Sequence, residues 1–349
     1  VDEDKLMEFV FRAVGDMSAA AHAPLVYVGD QLGLFRAMAD GAPIDAATLA
    51  GRTNTDERYV REWLGSQAAS GYVNYDGDGR YHLEPEQAVA LTDESSPACV
   101  LGGYEILLAM TAVVPRLMEA FRTGEGIGWG EQDPRLFHGT ARFFRPGYEA
   151  SLVQEWLPAL DGMVARLEAG AKVADIGCGF GHSTMIMAAA FPNSRFTGFD
   201  AHGPSVEAAE KATAGRGLAD RLSFEVATAK TFTGIGYDLI CYFDCLHDMG
   251  DPVGALAYAR KALSADGMVM LVEPYGSDDV ADNLNAVGRM FYSASTMICT
   301  PASKSEEVGL ALGAQAGPAR TREVAEQAGF TRFRQAAATP FNLIYELRP

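Results

Sequence analysis

The chain has 349 residues, 48% of them hydrophobic, a formal net charge of −18 and five scattered cysteines. That length provides for roughly two domains of about 100–200 residues each, and the acidity disfavours phosphate backbones, whose protein partners bind through Lys and Arg. An odd number of cysteines in a long chain does not make a disulfide framework and fits reduced thiols in a cytoplasmic protein.

Residues 1–95 are expected to form a winged-helix and dimerisation domain, mostly helical. The Val1-Asp-Glu-Asp opening is acidic where a signal peptide would be basic. Leu6, Phe9, Val10 and Met17 recur at helical spacing, and a second helix is expected near Pro24–Met38, ending at Gly41. Asp45 is placed to N-cap a helix stopping at Gly51, and a further helix starts at Thr55 with acids in its first turn. Between Gly71 and Leu83 apolar and polar residues alternate around Asp76-Gly-Asp-Gly79, a hairpin signal. Helix, turn, helix and β-wing in that order is a winged-helix pattern. A DNA reader is basic on its recognition helix, whereas the helix from Thr55 to Leu64 carries Asp56, Glu57 and Glu62. No nucleic-acid partner is expected.

Residues 96–168 read as a helical linker and substrate-cap region. The apolar run from Val100 to Met118 is broken by Glu105 and Pro115. It falls short of the roughly 20 apolar residues a membrane span needs, so no membrane partner is expected. Phe137, Phe143, Phe144, Tyr148 and Trp156 form an aromatic cluster, and Pro146-Gly147 is expected to separate two helices. His138, Phe144 and Tyr148 are candidates to line an acceptor pocket; the plainer reading makes them core, surface or dimer-contact residues.

Residues 169–349 alternate β-rich and helical runs. Strands are expected at Lys172–Ile176, Arg195–Asp200, Leu222–Val226, Tyr237–Tyr242 and Met268–Glu273, with helices around Ser183–Phe191, Ser205–Ala214 and Pro252–Leu263. This is an α/β pattern with a parallel sheet covered on both faces. Thr331–Ala337 and Asn342–Leu347, joined through Thr339-Pro340, read as a closing antiparallel hairpin.

The first of these strands ends in Asp175-Ile-Gly177-Cys178-Gly179-Phe-Gly181 and leads into a helix. Dinucleotide folds need G-x-G-x-x-G, and the sixth position here is His182. A carboxylate before the glycines suits a cation, such as the methionine moiety of S-adenosylmethionine, better than a pyrophosphate. Asp200, ending the next strand, can accept hydrogen bonds from both ribose hydroxyls. The plain alternative is a tight turn, with Asp200 an ordinary helix cap.

Asp175 to Gly181, Asp200 and the closing hairpin resemble class I S-adenosylmethionine-dependent methyltransferases over most of residues 165–349. With the winged helix, the segments Phe143-Phe-Arg-Pro-Gly-Tyr148 and Phe243-Asp-Cys-Leu-His-Asp-Met-Gly-Asp-Pro252 are similar to a mycobacterial and actinobacterial subgroup. They are similar also to small-molecule O-methyltransferases of plants and antibiotic pathways. The resemblance implies a Rossmann-like seven-stranded sheet with a reversed last strand, a homodimer, and S-adenosylmethionine as cofactor with S-adenosylhomocysteine as product. It places cofactor contacts in the loop at Asp175, Gly177, Cys178, Gly179 and Gly181. Further contacts fall at Asp200, Ala201, Thr228, Ala229, Phe243 and Asp244; Thr228 stands where many relatives carry an Asp for the adenine amino group.

Imidazole is suited to proton transfer near neutral pH, and Leu246-His247-Asp248-Met249-Gly-Asp251 resembles the Leu-His-Asp-Trp-x-Asp segment whose histidine is a general base. The resemblance makes His247 the base and Glu273 the acid that orients it, with Met249 in place of the family's Trp. Asp248 and Asp251 are expected to cap the next helix or face solvent. Cys241 and Cys245 lack a paired Cys or His at zinc spacing, so no metal is expected. The expected activity is O-methylation of a small apolar or aromatic acceptor. C- or N-methylation, or a non-catalytic ligand-sensing regulator on the same fold, are the alternatives.

Overall fold

In the computed structural model, which describes residues 1–349, the chain divides into two compact units. One comprises Val1–Ala109 with His138–Pro146, the other Met110–Phe137 with Gly147–Pro349.

The first unit opens on α1 (Glu3–Gln31), capped by Asp2, whose carboxylate accepts the Lys5 N–H. One helix thus replaces the two expected. Pro24 lies inside it but on an exposed position, where water can satisfy the carbonyl its ring leaves unpaired. β1 (Ile44–Asp45) precedes α2 (Ala46–Thr53), which Asp45 caps as expected. This helix runs past Gly51 and stops where Asn54 turns left-handed, at φ 52°. Asp56 caps α3 (Glu57–Ala69), and the hairpin β2 (Asn74–Gly77) and β3 (Arg80–His82) completes the wing in the order β1-β3-β2. α4 (Pro85–Thr92) closes the domain.

Its core gathers Val26, Phe35, Leu49, Trp63, Leu64 and Leu83. Buried Asp30 needs a cation, and Arg142 supplies it with N–H donors to both carboxylate oxygens, while also pairing with Glu94. On α3, Arg58 and Arg61 are each paired one turn away, with Glu62 and Glu57. The first half of α1 leaves large apolar side chains in solvent: Phe9, Phe11 and Met17 are 64%, 68% and 63% exposed.

α5 (Leu101–Ala112), α6 (Val114–Thr123) and α7 (Pro134–Ser151) follow. No helix in the chain is long and apolar enough to cross a membrane by itself. α7 passes through Pro146-Gly147 unbroken, against the expected separation, and then widens into a π turn at Leu152–Trp156. Proline's φ is itself helical, so the cost is one missing bond and the ring's crowding of the carbonyl four residues back, set here against the burial of Leu136, Tyr148 and Leu152.

The second unit continues with α8 (Met163–Ala169) and then strands and helices in alternation. These are β4 (Lys172–Ile176), α9 (His182–Ala190), β5 (Arg195–Asp200), α10 (Gly203–Thr213), β6 (Leu222–Val226), β7 (Tyr237–Phe243) and α11 (Pro252–Ala262). β8 (Leu263–Pro274) starts earlier than expected, pairing Leu263 with Tyr237 before a register shift. α12 (Ala286–Ala294), α13 (Thr300–Lys304) and α14 (Gly317–Gln327) lead to the hairpin β9 (Arg332–Ala338) and β10 (Asn342–Arg348).

The strands form one seven-stranded sheet in the order β6-β5-β4-β7-β8-β10-β9, with β10 antiparallel to both neighbours. This is the Rossmann-like sheet with a reversed last strand. Central β4 and β7 are covered on both faces, which is why they read as continuous apolar runs. Ile176, Ile240, Tyr242 and Leu271 are buried in one cluster with Leu256 of α11 and Val324 of α14. The strand order reverses at β4, so the crevice for ligands lies at the carboxyl ends of β4 and β7.

Candidate active site

β4 ends on Asp175 and Ile176, and the chain must then turn sharply to enter α9. Gly177, Gly179 and Gly181 make that turn at φ 71°, 53° and 74°, a region that side chains disfavour. The loop is held from β5: Gly177 N–H and Cys178 N–H donate to Phe199 carbonyl, and Gly179 N–H donates to Asp200 Oδ2. Asp200 Oδ1 accepts the His202 N–H. Two of the three glycines also answer a packing need. A Cβ on Gly177 would lie 2.8 Å from Cys245 Sγ, and one on Gly181 would lie 2.5 Å from the Phe224 ring. At Gly179 a Cβ would meet nothing within 4 Å, so room remains there for a ligand.

Asp175 is fully buried beneath the loop. Its Oδ2 accepts from Ser183 and Thr184 hydroxyls at 2.6 Å, and its Oδ1 has no hydrogen-bond partner. Burial pushes its carboxyl up to about 6, against the two hydroxyl bonds that favour ionisation. Burial also raises Asp200. A buried carboxylate with one unpartnered oxygen beneath a glycine loop is favoured by positive charge brought near it.

At the end of β7, Asp244 adopts φ 50° while its N–H donates to Val272 carbonyl. Asn342 Nδ2 donates to its Oδ1 at 2.7 Å, and Tyr148 hydroxyl donates to its Oδ2 at 3.2 Å. Burial, and then the nearby Glu273 charge, push the Asp244 carboxyl up to about 7. Tyr148 packs its ring against Trp156 and Phe243, an apolar wall beside these polar groups.

His247 sits in a 3₁₀ turn, Leu246–Asp248, just beyond β7. Its Nδ1 donates to Glu273 Oε2 at 2.5 Å, and Glu273 Oε1 accepts the Leu246 N–H. Nε2 lies 2.9 Å from Asp248 Oδ1, an ion-pair distance. Burial alone would lower the imidazole, but the charges of Asp248 and Glu273 outweigh it and raise His247 well above its ordinary value. Asp248 therefore faces His247 and caps no helix, in contrast to expectation, whereas Asp251 does cap α11 and also pairs with Lys230.

The structure brings Asp175, Gly177, Cys178, Gly179, Gly181, Asp200, Phe243, Asp244, His247, Glu273 and Tyr148 to the carboxyl edge of one sheet. Ala201 is exposed just beyond β5; Thr228 forms a hydroxyl turn with Thr231 after β6, with Ala229 half-buried beside it. His138 and Phe144 belong to the first unit, where His138 bonds buried Glu105 at 2.8 Å and Phe144 packs edge-on to Phe143. Sequence reasoning did not single out Asn342, Ser183, Thr184 or the stack of Phe137 on His202, with centroids 4.2 Å apart.

This strand order, with a glycine loop at the crossover, defines the Rossmann-like methyltransferase fold. Residues 174–269 match the methyltransferase domain family, and residues 20–93 match the Rv2258c-like winged HTH domain. No curated protein matches the chain in sequence. Among solved structures, the mitomycin 7-O-methyltransferase MmcR is similar, at 21% identity and TM-score 0.72, over 99% of this chain and 100% of that one. A putative O-methyltransferase from Nostoc punctiforme is similar at 20% identity and TM-score 0.73, over 98% of each chain. Human N-acetylserotonin methyltransferase, solved with S-adenosylmethionine, is similar at 17% identity and TM-score 0.69, over 97% of each chain. At these identities the likeness is one of fold. The chain carries a methyltransferase domain preceded by an Rv2258c-like winged helix-turn-helix domain.

The loop makes a stability prediction. Gly179→Ala carries only the left-handed backbone strain, about 1–2 kcal/mol, whereas Gly181→Ala adds a clash with Phe224 and loses more. Denaturant unfolding of the two variants checks this; equal losses would contradict the packing role of Gly181.

Proposed function

We propose that the protein transfers a methyl group from S-adenosylmethionine to a hydroxyl of a small apolar or aromatic acceptor, with His247 as general base. When bound, S-adenosylmethionine supplies a methyl group on a cationic sulfur and leaves as S-adenosylhomocysteine. The residues present fit such a group. Asp175 Oδ1, buried and unpartnered, would meet its positive charge, and Gly179 leaves the backbone open. Each Asp200 oxygen accepts one backbone N–H and retains a lone pair for a ribose hydroxyl. Ala201, Thr228 and Ala229 would flank the base, and Phe243 and Asp244 the methionine end.

The observation that carries the base assignment is the 2.5 Å bond from His247 Nδ1 to Glu273. It fixes Nδ1 as the donor and leaves Nε2 as the nitrogen that takes the acceptor proton. Asp248, less buried than Glu273, is the partner an acceptor hydroxyl displaces. Tyr148, Trp156 and Phe243 supply an apolar wall for the acceptor. The ion pair to Asp248 favours a second reading, in which His247 stays an imidazolium and the accepting atom is nitrogen or carbon.

The exposed apolar residues of α1 support self-association as a homodimer, since a surface of this kind is seldom left in water. The paired arginines of α3 argue against a duplex partner.

Calorimetry is expected to show binding of S-adenosylmethionine that weakens as pH falls through about 6, because protonating Asp175 removes the charge opposing the cation. Failure to bind either the cofactor or its product defeats the methyltransferase reading for this site. His247→Gln is expected to keep cofactor binding and lose about 10²–10⁴-fold in turnover. Because His247 is raised, the free base appears only at higher pH, so wild-type turnover climbs with pH above the ordinary histidine range. Asp248→Asn removes one raising charge and moves the climb to lower pH; an unmoved profile favours the second reading. Sedimentation of the wild type is expected to give a dimer that a Phe9→Glu, Phe11→Glu double variant dissociates. A wild-type monomer removes the self-association proposal.

A further inference from the structure

We propose that His247 Nε2, Asp248 Oδ1 and Cys299 Sγ form a binding site for a zinc-class divalent cation. Two elements deliver the donors. His247 and Asp248 come from the 3₁₀ turn after β7, and Cys299 is the last residue of a π turn, Ser295–Cys299, joining α12 to α13. The three donor atoms lie within 4.8 Å of one another, and His247 and Cys299 are buried.

Two further observations point to a cation. Asp248 Oδ1 is shielded from solvent, and the polar groups that face it are the other two donors of the set, His247 Nε2 at 2.9 Å and the Cys299 thiol. Behind the ring, Glu273 accepts from Nδ1, which is the carboxylate–histidine arrangement that orients an imidazole toward a metal. A tetrahedral zinc centre sets such donors about 3.3–3.8 Å apart, so small rotations of Asp248 and Cys299 close the site around an ion.

Imidazole with thiolate selects zinc over magnesium or calcium, which prefer all-oxygen sites. Charge balances. One divalent cation enters, while the thiol proton of Cys299 and the proton on Nε2 leave; the neutral imidazole, carboxylate and thiolate then carry two negative charges against the ion's two positive ones. The fourth position stays open to water. Nε2 is the atom assigned above to proton removal, so a bound ion also blocks turnover; that consequence alone rests on the base assignment.

The test uses the untagged full-length protein, titrated with zinc chloride against a chromophoric chelator and, separately, with cobalt(II). A single zinc ion per chain is expected, and cobalt should give a thiolate charge-transfer band with four-coordinate visible absorption. Cys299→Ser should abolish that band, and both Cys299→Ser and His247→Gln should weaken zinc binding by at least about tenfold. A wild-type protein that gives no thiolate–cobalt band overturns the proposal, and this result stands even if the variants do not fold. Zinc affinity unchanged in both folded variants also overturns it. Zinc that binds with the expected variant losses but leaves methyl transfer untouched supports the site and counts against His247 as base.

Discussion

Burying a carboxylate without a cation costs several kcal/mol in ion hydration, and the carboxyl edge of this sheet buries Asp175 and Glu273 and half-buries Asp200 and Asp244. All four accept hydrogen bonds, from Ser183 and Thr184, from loop N–H groups, from Tyr148 and Asn342, and from His247. Asp175 keeps one oxygen without a partner. The edge is therefore an electrostatic socket, dry and short of positive charge, so a cationic ligand gains there what a neutral one does not. The charges of Asp248 and Glu273 likewise raise His247.

That socket depends on the loop. Its N–H groups are spent on the carbonyl of Phe199 and the carboxylate of Asp200, so β5 fixes the path of the turn between β4 and α9. Gly181 lets the turn lie flat against Phe224, and Gly177 makes way for Cys245. What is left for a ligand is the one glycine with open space beside it. Rigid support from two sides and vacancy at the third is a preorganised arrangement, in which little ordering cost remains for binding.

Much of this was legible from residue order. The alternation of strands and helices, the acid before the three glycines, and Asp200 at the end of the next strand follow from local pattern, because each is a property of a few consecutive residues. The pairing of His247 with Glu273 came through resemblance, since no local pattern links residues on different strands. Asp248 was misjudged for a related reason. Its neighbours look like a helix start, and only the packed structure shows that the carboxylate turns inward to the imidazole. Asn342, Tyr148 and Asp244 come from three separate elements, so their meeting is a tertiary fact with no sequence signal. Pro24 and Pro146 misled in the other direction: proline marks a missing donor, and a long helix with burial or water to offset it continues regardless.

The reversed strand β10 lies between β8 and β9, not at the rim of the sheet. Its Asn342 is the residue that bonds Asp244 at the crevice. During synthesis the chain emerges in order, so β9 has no partner to dock on, and Asp244 no amide, until the segment 342–348 is free of the ribosome. The glycine loop and β4 to β8 precede it in the chain. Completion of the crevice therefore depends on a strand that follows every other element of the sheet in chain order.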